Sequence, residues 1–197
     1  MSDETSTNEA KYATGNPVVQ RMLGGFFAEL RETVAPLAPR SVLDAGCGEG
    51  EALARLGDLL PDQVSAIDVE QRCVDLTSVR HPAASVSRRS VLDLGFADDS
   101  FELVLCLEVL EHLEDPTAAV CELARVSARD VVVSVPYEPW FRLGSLLRGN
   151  YLGSLGNHPE HVNHFNRRSL HELLEPVLEV DRIATVFPWL IAAGRVR

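Results

Sequence analysis

Apolar positions fall into short blocks whose period switches repeatedly between helical and extended spacing. Residues 18–34, VVQRMLGGFFAELRETV, carry apolar side chains at helical intervals. Asn16 opens that pattern, Pro17 suits a first-turn position, and Pro36 and Pro39 end it. Extended runs then alternate with helical ones. SVLDAG (41–46), VSAIDV (64–69), the weaker ASVSRRSV (84–91), FELVLCL (101–107) and DVVVSVP (130–136) read as strands. EALARLGDLL (51–60), QRCVDLTSV (71–79), a stretch from about Val109 and PTAAVCELARVS (116–127) read as helices. This alternation predicts an α/β fold with a doubly wound, mostly parallel sheet and right-handed crossovers.

The pattern breaks after Pro136. Residues 137–166 are rich in Gly, Asn, His and aromatics, and are long for a connection inside a domain. They read as an insertion or lid bearing Tyr137, Trp140, Phe141 and Tyr151, with Arg142 and Arg148 available to a substrate anion. RRSLHELLEPVL (167–178) reads as a helix capped by Ser169, and VDRIATVF and WLIAAGRV as a closing hairpin at the sheet edge. Residues 1–15 read as a loose polar tail ahead of a single domain, 16–197.

Charge narrows the partners. The formal net charge is −11, which repels polyanions and disfavours nucleic acid. No apolar run approaches the roughly 20 residues of a membrane span, and the acidic N-terminus lacks the features of a secretory signal, so a cytoplasmic location is expected. Cys47, Cys73, Cys106 and Cys121 form no C-x-x-C pair and read as packed free thiols.

The most informative stretch is VLDAGCGEGEAL. It sets D-x-G-x-G-x-G at Asp44, Gly46, Gly48 and Gly50, between a strand and a helix. Glycines there allow a tight turn and close approach of a ligand to the backbone. The spacing differs from the dinucleotide pattern G-x-G-x-x-G, and Asp44 would repel a pyrophosphate. The acid suits a ligand bearing an ammonium or sulfonium group and no phosphates.

These residues resemble the first motif of the class I S-adenosylmethionine-dependent methyltransferases. VSAIDVE resembles the second motif, residues 90–126 the stretch from the third strand through the fourth helix, and VVVSVP the fifth strand. The resemblance covers roughly residues 41–136. It implies the family's Rossmann-like, seven-stranded sheet with helices on both faces and an antiparallel edge strand. It also implies S-adenosyl-L-methionine as cofactor. Asp68 would hold the ribose hydroxyls, as a carboxylate can. The turn from Asp44 through Ala45 and Gly46 to Gly48, with the Leu107 backbone, would meet the methionine end. Val69 would join Asp68, and Ser90 and Val91 would lie near adenine. Ser90 stands where the family usually has Asp, and Asp93 is an alternative.

EVLEHL places Glu108, Glu111 and His112 at i, i+3 and i+4, which on a helix is one face. Three readings are open. The acids can simply suit a helix N-terminus. His112 can be a general base, oriented by Glu111. Or Glu108, Glu111 and His112, with a histidine from NHPEHVNHF (His158, His161 or His164), can bind Mg²⁺, Mn²⁺ or Zn²⁺. The metal reading resembles the ligand pattern of the small-RNA 3′-terminal 2′-O-methyltransferases, which implies His161 as the last ligand. EVLEHL is also similar to the matching stretch of the ubiquinone-pathway catechol O-methyltransferases. The leading expectation is O-methylation of a small-molecule hydroxyl of catechol or diol type. N- or C-methylation and a terminal RNA ribose are alternatives. Outside the class stand a nicotinamide-dependent oxidoreductase, against the glycine spacing, and a non-catalytic scaffold, against the acid-rich cavity.

Overall fold

A computed structural model describes residues 15–137 and 162–197. The chain enters through helix α1, Pro17–Val34, whose Asn16 side chain accepts from the Val18 and Val19 amides. Pro17 occupies the first turn, where a missing N–H costs nothing. Strands and helices then alternate as β1 Ser41–Ala45, α2 Glu51–Leu56, β2 Gln63–Asp68, α3 Gln71–Arg80, β3 Ser85–Arg88, β4 Phe101–Leu107, α4 Pro116–Val126 and β5 Ser127–Pro136. Helix α5, Arg167–Leu174, and the strands β6 Leu178–Val186 and β7 Trp189–Val196 close the chain.

The seven strands form one sheet in the order β3-β2-β1-β4-β5-β7-β6. Strands β1 to β5 are parallel, and β7 runs antiparallel to both β5 and β6. The closing hairpin therefore sits at the edge, as the sequence implied. Alternation along the central strands sorts the core into two faces. Leu43, Ala45, Val104, Cys106, Val131 and Val133 pack with α4 and α5 on one face. Val42, Leu103, Leu105 and Val132 pack with α1 and Leu56 of α2 on the other. The chain leaves β1 for β2 and β3, then returns to β4 beside β1. That switch point opens a crevice at the C-terminal strand ends.

Two local expectations change. The stretch from Val109 is a single 3-10 turn, Leu110–His112, not a continuing helix. Asn163 is the reason: its side-chain amide donates to the carbonyls of Leu110 (3.4 Å) and Leu113 (2.5 Å), which a helix would have used internally. Helix α4 then starts afresh, with Asp115 capping the Ala118 amide and Pro116 in the first turn. Secondly, Asn166, not Ser169, caps α5. Asn166 accepts from the Arg168 and Ser169 amides, and the Ser169 hydroxyl accepts from the Asn166 amide, completing a capping box.

Most of the expected insertion, 138–161, lies outside the described residues, and with it Trp140, Phe141, Arg142, Arg148, Tyr151, His158 and His161. Its flanks are fixed. Tyr137 donates its amide to Pro188 and bridges Phe165, while the Val162 and Asn163 amides both donate to the Glu111 carbonyl. No described helix is long and apolar enough to cross a membrane.

Leu30 is fully buried between α1 and the sheet. Leu30→Ala is expected to lower stability by about 2–5 kcal/mol. Urea unfolding should show a lower midpoint with an unchanged slope.

Candidate cofactor and active site

The crevice at the switch point is a cavity of about 690 Å³, within the usual range for small-molecule sites. The glycine-rich turn forms its floor. The amides of Gly46 and Cys47 both donate to the Ile67 carbonyl, at 2.8 and 2.9 Å, which bends the chain off β1 and over the end of β2. Gly46 has φ +90, and a Cβ there would overlap the Val109 side chain, so only glycine fits. The Gly48 amide donates to Asp68 Oδ2 at 2.9 Å, and the Glu70 amide to Asp68 Oδ1 at 2.9 Å. Two amides thus lock the Asp68 carboxylate while leaving it further acceptor capacity toward the cavity.

Asp44 is placed differently. It lies on the cavity wall but is only 1% exposed, and its Oδ2 has no hydrogen-bond partner among the described residues. Burial, and then the nearby Asp68 charge, push its carboxyl up from 3.8 to about 7. Such a group gains most from a cation brought into the cavity. The described wall carries Glu49, Glu51, Glu70 and Glu108 besides Asp44 and Asp68, against Arg89 and His112. A sulfonium or ammonium ligand fits this wall, and a pyrophosphate does not.

Of the expected cofactor residues, Asp44, Gly46, Gly48, Asp68, Val69, Ser90, Val91 and Leu107 all line the cavity. Ala45 does not: its side chain is fully buried in the core on the α4 face. The Ser90 hydroxyl accepts from the Leu92 amide at 3.1 Å, and a hydroxyl retains a second lone pair. Asp93, the alternative, is exposed and is not part of the wall.

Glu108, Glu111 and His112 do not share a face. Glu108 adopts φ +58, a conformation uncommon outside glycine. Its amide donates to both the carbonyl and hydroxyl oxygens of Ser134, and its carboxylate accepts from Trp189 Nε1 at 2.5 Å and the Ser134 hydroxyl at 3.3 Å. Glu111 is 1% exposed. His112 lines the cavity with its side chain 40% exposed, and its Nε2 lies 3.9 Å from Glu111 Oε1, too long for a hydrogen bond. Among the described residues no three His, Cys, Asp or Glu side chains converge as metal ligands. His161 lies outside the described residues.

Phe26, Phe27, Arg89 and Leu113 also line the wall, and none was anticipated from the sequence. Phe26 and Phe27 stack edge-to-face at 5.1 Å, and Phe26 also meets Trp189 at 5.1 Å. No signal within α1 marked the two aromatics, since both also belong to its buried apolar stripe. Arg89 lies 4.9 Å over the Phe96 ring and donates to the Leu94 carbonyl. Of the four cysteines, none is in a disulfide; Cys47, Cys73 and Cys106 are buried as expected, and Cys121 is exposed.

Fold and cavity together define a Rossmann-like protein suited to a cationic ligand without phosphates. A family model described as a methyltransferase domain matches residues 19–177, and the chain belongs to that family. A probable S-adenosylmethionine-dependent methyltransferase of Mycolicibacterium smegmatis is 32% identical over 153 residues, 76% of this chain and 56% of that protein. A ubiquinone biosynthesis O-methyltransferase of Xanthomonas oryzae pv. oryzae is 41% identical over 98 residues, 46% of this chain and 39% of that protein. The chain thus spans about half or less of the length of these curated relatives. Among solved structures, the magnesium protoporphyrin IX methyltransferase of Synechocystis PCC 6803 with bound SAH is similar, with a TM-score of 0.73 at 20% identity, covering 98% of this chain and 95% of that one. A SAM-dependent methyltransferase from Aquifex aeolicus gives 0.71 at 14% identity, covering 98% and 100%. The two structures share its fold.

The Asp44 shift has a definite sign. A carboxyl raised in the folded state binds its proton more tightly there than when unfolded. Its contribution to stability is present below pH about 4 and is lost as pH rises through about 7. Asp44→Asn should therefore match the unmodified ligand-free protein in acid and exceed it by a few kcal/mol, as an order of magnitude, at pH 8. Urea unfolding of both proteins across this range checks it.

Proposed function

We propose that this domain transfers the methyl group of S-adenosylmethionine to an oxygen of a small molecule, with His112 as general base. The observation that carries the reading is the placement of Asp44 and His112 on one cavity: a buried carboxyl with one oxygen unpartnered among the described residues, and a half-exposed imidazole. When bound, the cofactor supplies an electrophilic methyl carbon on a positively charged sulfur. Asp44 and the acid-rich wall attract and orient that positive charge. Asp68, Val69, Ser90 and Val91 take the nucleoside end, and the Leu107 backbone the methionine end. Phe26, Phe27 and Leu113 provide an apolar wall for the acceptor. His112 takes the hydroxyl proton as the new carbon–oxygen bond forms and the carbon–sulfur bond breaks. Alignment of the reacting atoms supplies much of the rate.

Oxygen is favoured as nucleophile by the 41% identity over 98 residues to a protein named as an O-methyltransferase. A net charge of −11 favours a small acceptor over nucleic acid. His112 and Glu108 both line the cavity, and Glu111 Oε1 lies 3.9 Å from His112 Nε2.

The test is methyl transfer from labelled S-adenosylmethionine to a panel of catechols, vicinal diols, amines and carbon acids. Transfer to hydroxyls is expected, unchanged by chelator, and His112→Gln should lower the rate by about 10²–10⁴-fold with S-adenosylhomocysteine affinity retained. Transfer only to amines or carbon would replace the oxygen assignment. Loss of activity with chelator would favour the metal reading.

A further inference from the structure

Three consecutive carbonyl oxygens of the glycine-rich turn are held by side chains from the end of one helix. The Thr77 hydroxyl donates to the Gly48 carbonyl at 2.8 Å. The Arg80 guanidinium donates to the Glu49 carbonyl at 2.8 Å. His81 Nε2 stands 2.9 Å from the Gly50 carbonyl, where the Nε2–H tautomer donates. Thr77, Arg80 and His81 are spaced i, i+3 and i+4 at the C-terminal end of α3, with His81 as its cap residue. That spacing gathers them on one face. None of the three is among the residues lining the cavity.

The third glycine of the motif answers to this contact. Gly50 has φ +77, and a Cβ there would lie 2.8 Å from His81 Cδ2 and 3.1 Å from Thr77 Oγ1. Any side chain would push the turn off α3. On its other side the same turn is tied to Asp68 through the Gly48 amide.

We propose that Thr77, Arg80 and His81 form a three-point clamp that fixes the peptide planes of the cofactor turn and thereby sets cofactor affinity. The inference rests on the methyltransferase reading of the cavity. A free turn of three left-handed glycines has many accessible conformers, and binding would have to remove them. Ordering the turn beforehand from α3 takes that entropy loss out of the binding step. The three side chains are positioning residues, acting through the backbone they hold.

The experiment is calorimetric titration of S-adenosylhomocysteine into the unmodified chain and into Thr77→Val, Thr77→Ser, Arg80→Ala and His81→Ala, with thermal melts of each ligand-free protein. Thr77→Val, Arg80→Ala and His81→Ala are each expected to weaken binding about tenfold, the order of one lost hydrogen bond. Thr77→Ser, which keeps the hydroxyl, is expected to restore it. Arg80 is the most exposed of the three, so Arg80→Ala should disturb the ligand-free melt least, and comparing its melt with its affinity separates folding from binding. Unaltered affinity in Arg80→Ala and Thr77→Val overturns the clamp, as does a lowered melt without weaker binding, or failure of Thr77→Ser to rescue. If the unmodified chain binds no S-adenosylhomocysteine, the functional reading falls and the clamp falls with it.

Discussion

Asp44 and Asp68 stand at the ends of two adjacent parallel strands, and the backbone leaves neither free to withdraw. The β1–β2 register sets Asp44 opposite Ala66 and Ala45 opposite Ile67. The Ile67 carbonyl then binds the next two amides, Gly46 and Cys47, so the turn begins directly over β2. Asp68 is compensated by two amides; Asp44 is buried and has an uncompensated oxygen. A fold that accepts this desolvation cost needs stability elsewhere, and the two-faced core around β1, β4 and β5 provides it. The unfavourable carboxylate is also what gives the cavity its preference for positive charge. The same arrangement that weakens the ligand-free fold above neutrality selects the ligand.

Glu108 shows a second local cost with a structural return. A non-glycine residue in the left-handed region costs roughly 1–2 kcal/mol. Here the conformation is over-determined: Ser134 on β5 holds the Glu108 amide, while Trp189 on β7 and Ser134 hold its carboxylate. The effect is to end β4 abruptly and turn Val109 across the mouth of the glycine turn, where it abuts Gly46. Trp189 in turn packs on Phe26, so α1, β4, β5 and β7 meet at one corner of the cavity.

What could be read from the sequence followed from local chemistry. β4 and β7 run over the residues their apolar patterns marked, Phe101–Leu107 and Trp189–Val196, because each is a mostly buried run bounded by polar or turn residues. The glycine turn was legible because strand, acid and glycine spacing are all local. The E-x-x-E-H geometry was not. Helical spacing presumes a helix, and the residues that break it, Asn163 and Trp189, lie 50 or more positions downstream. Phe26 and Phe27 were hidden for the same reason: α1 reaches the cavity only through the sheet order, and nothing within α1 marks a core aromatic from a wall aromatic. The α3 clamp was readable only in part, since Thr77, Arg80 and His81 share a helical face but their partners sit about 30 residues upstream.

The two titratable groups proposed to act here are separated by environment as well as by role. Asp44 is sealed at 1% exposure, so its charge is governed by what enters the cavity. His112 is 40% exposed at the side chain, on a turn whose carbonyls are pinned by Asn163 and whose Glu111 carbonyl anchors Val162. A base must discharge its proton after every transfer, and a group in contact with water does so without a relay. A group that only orients a permanent charge has no proton to return, and burial strengthens its interaction. Exchanging the two positions would leave a sealed base that could not reset and an exposed acid whose attraction water would screen. The difference in burial between Asp44 and His112 is therefore what the assignment of roles rests on.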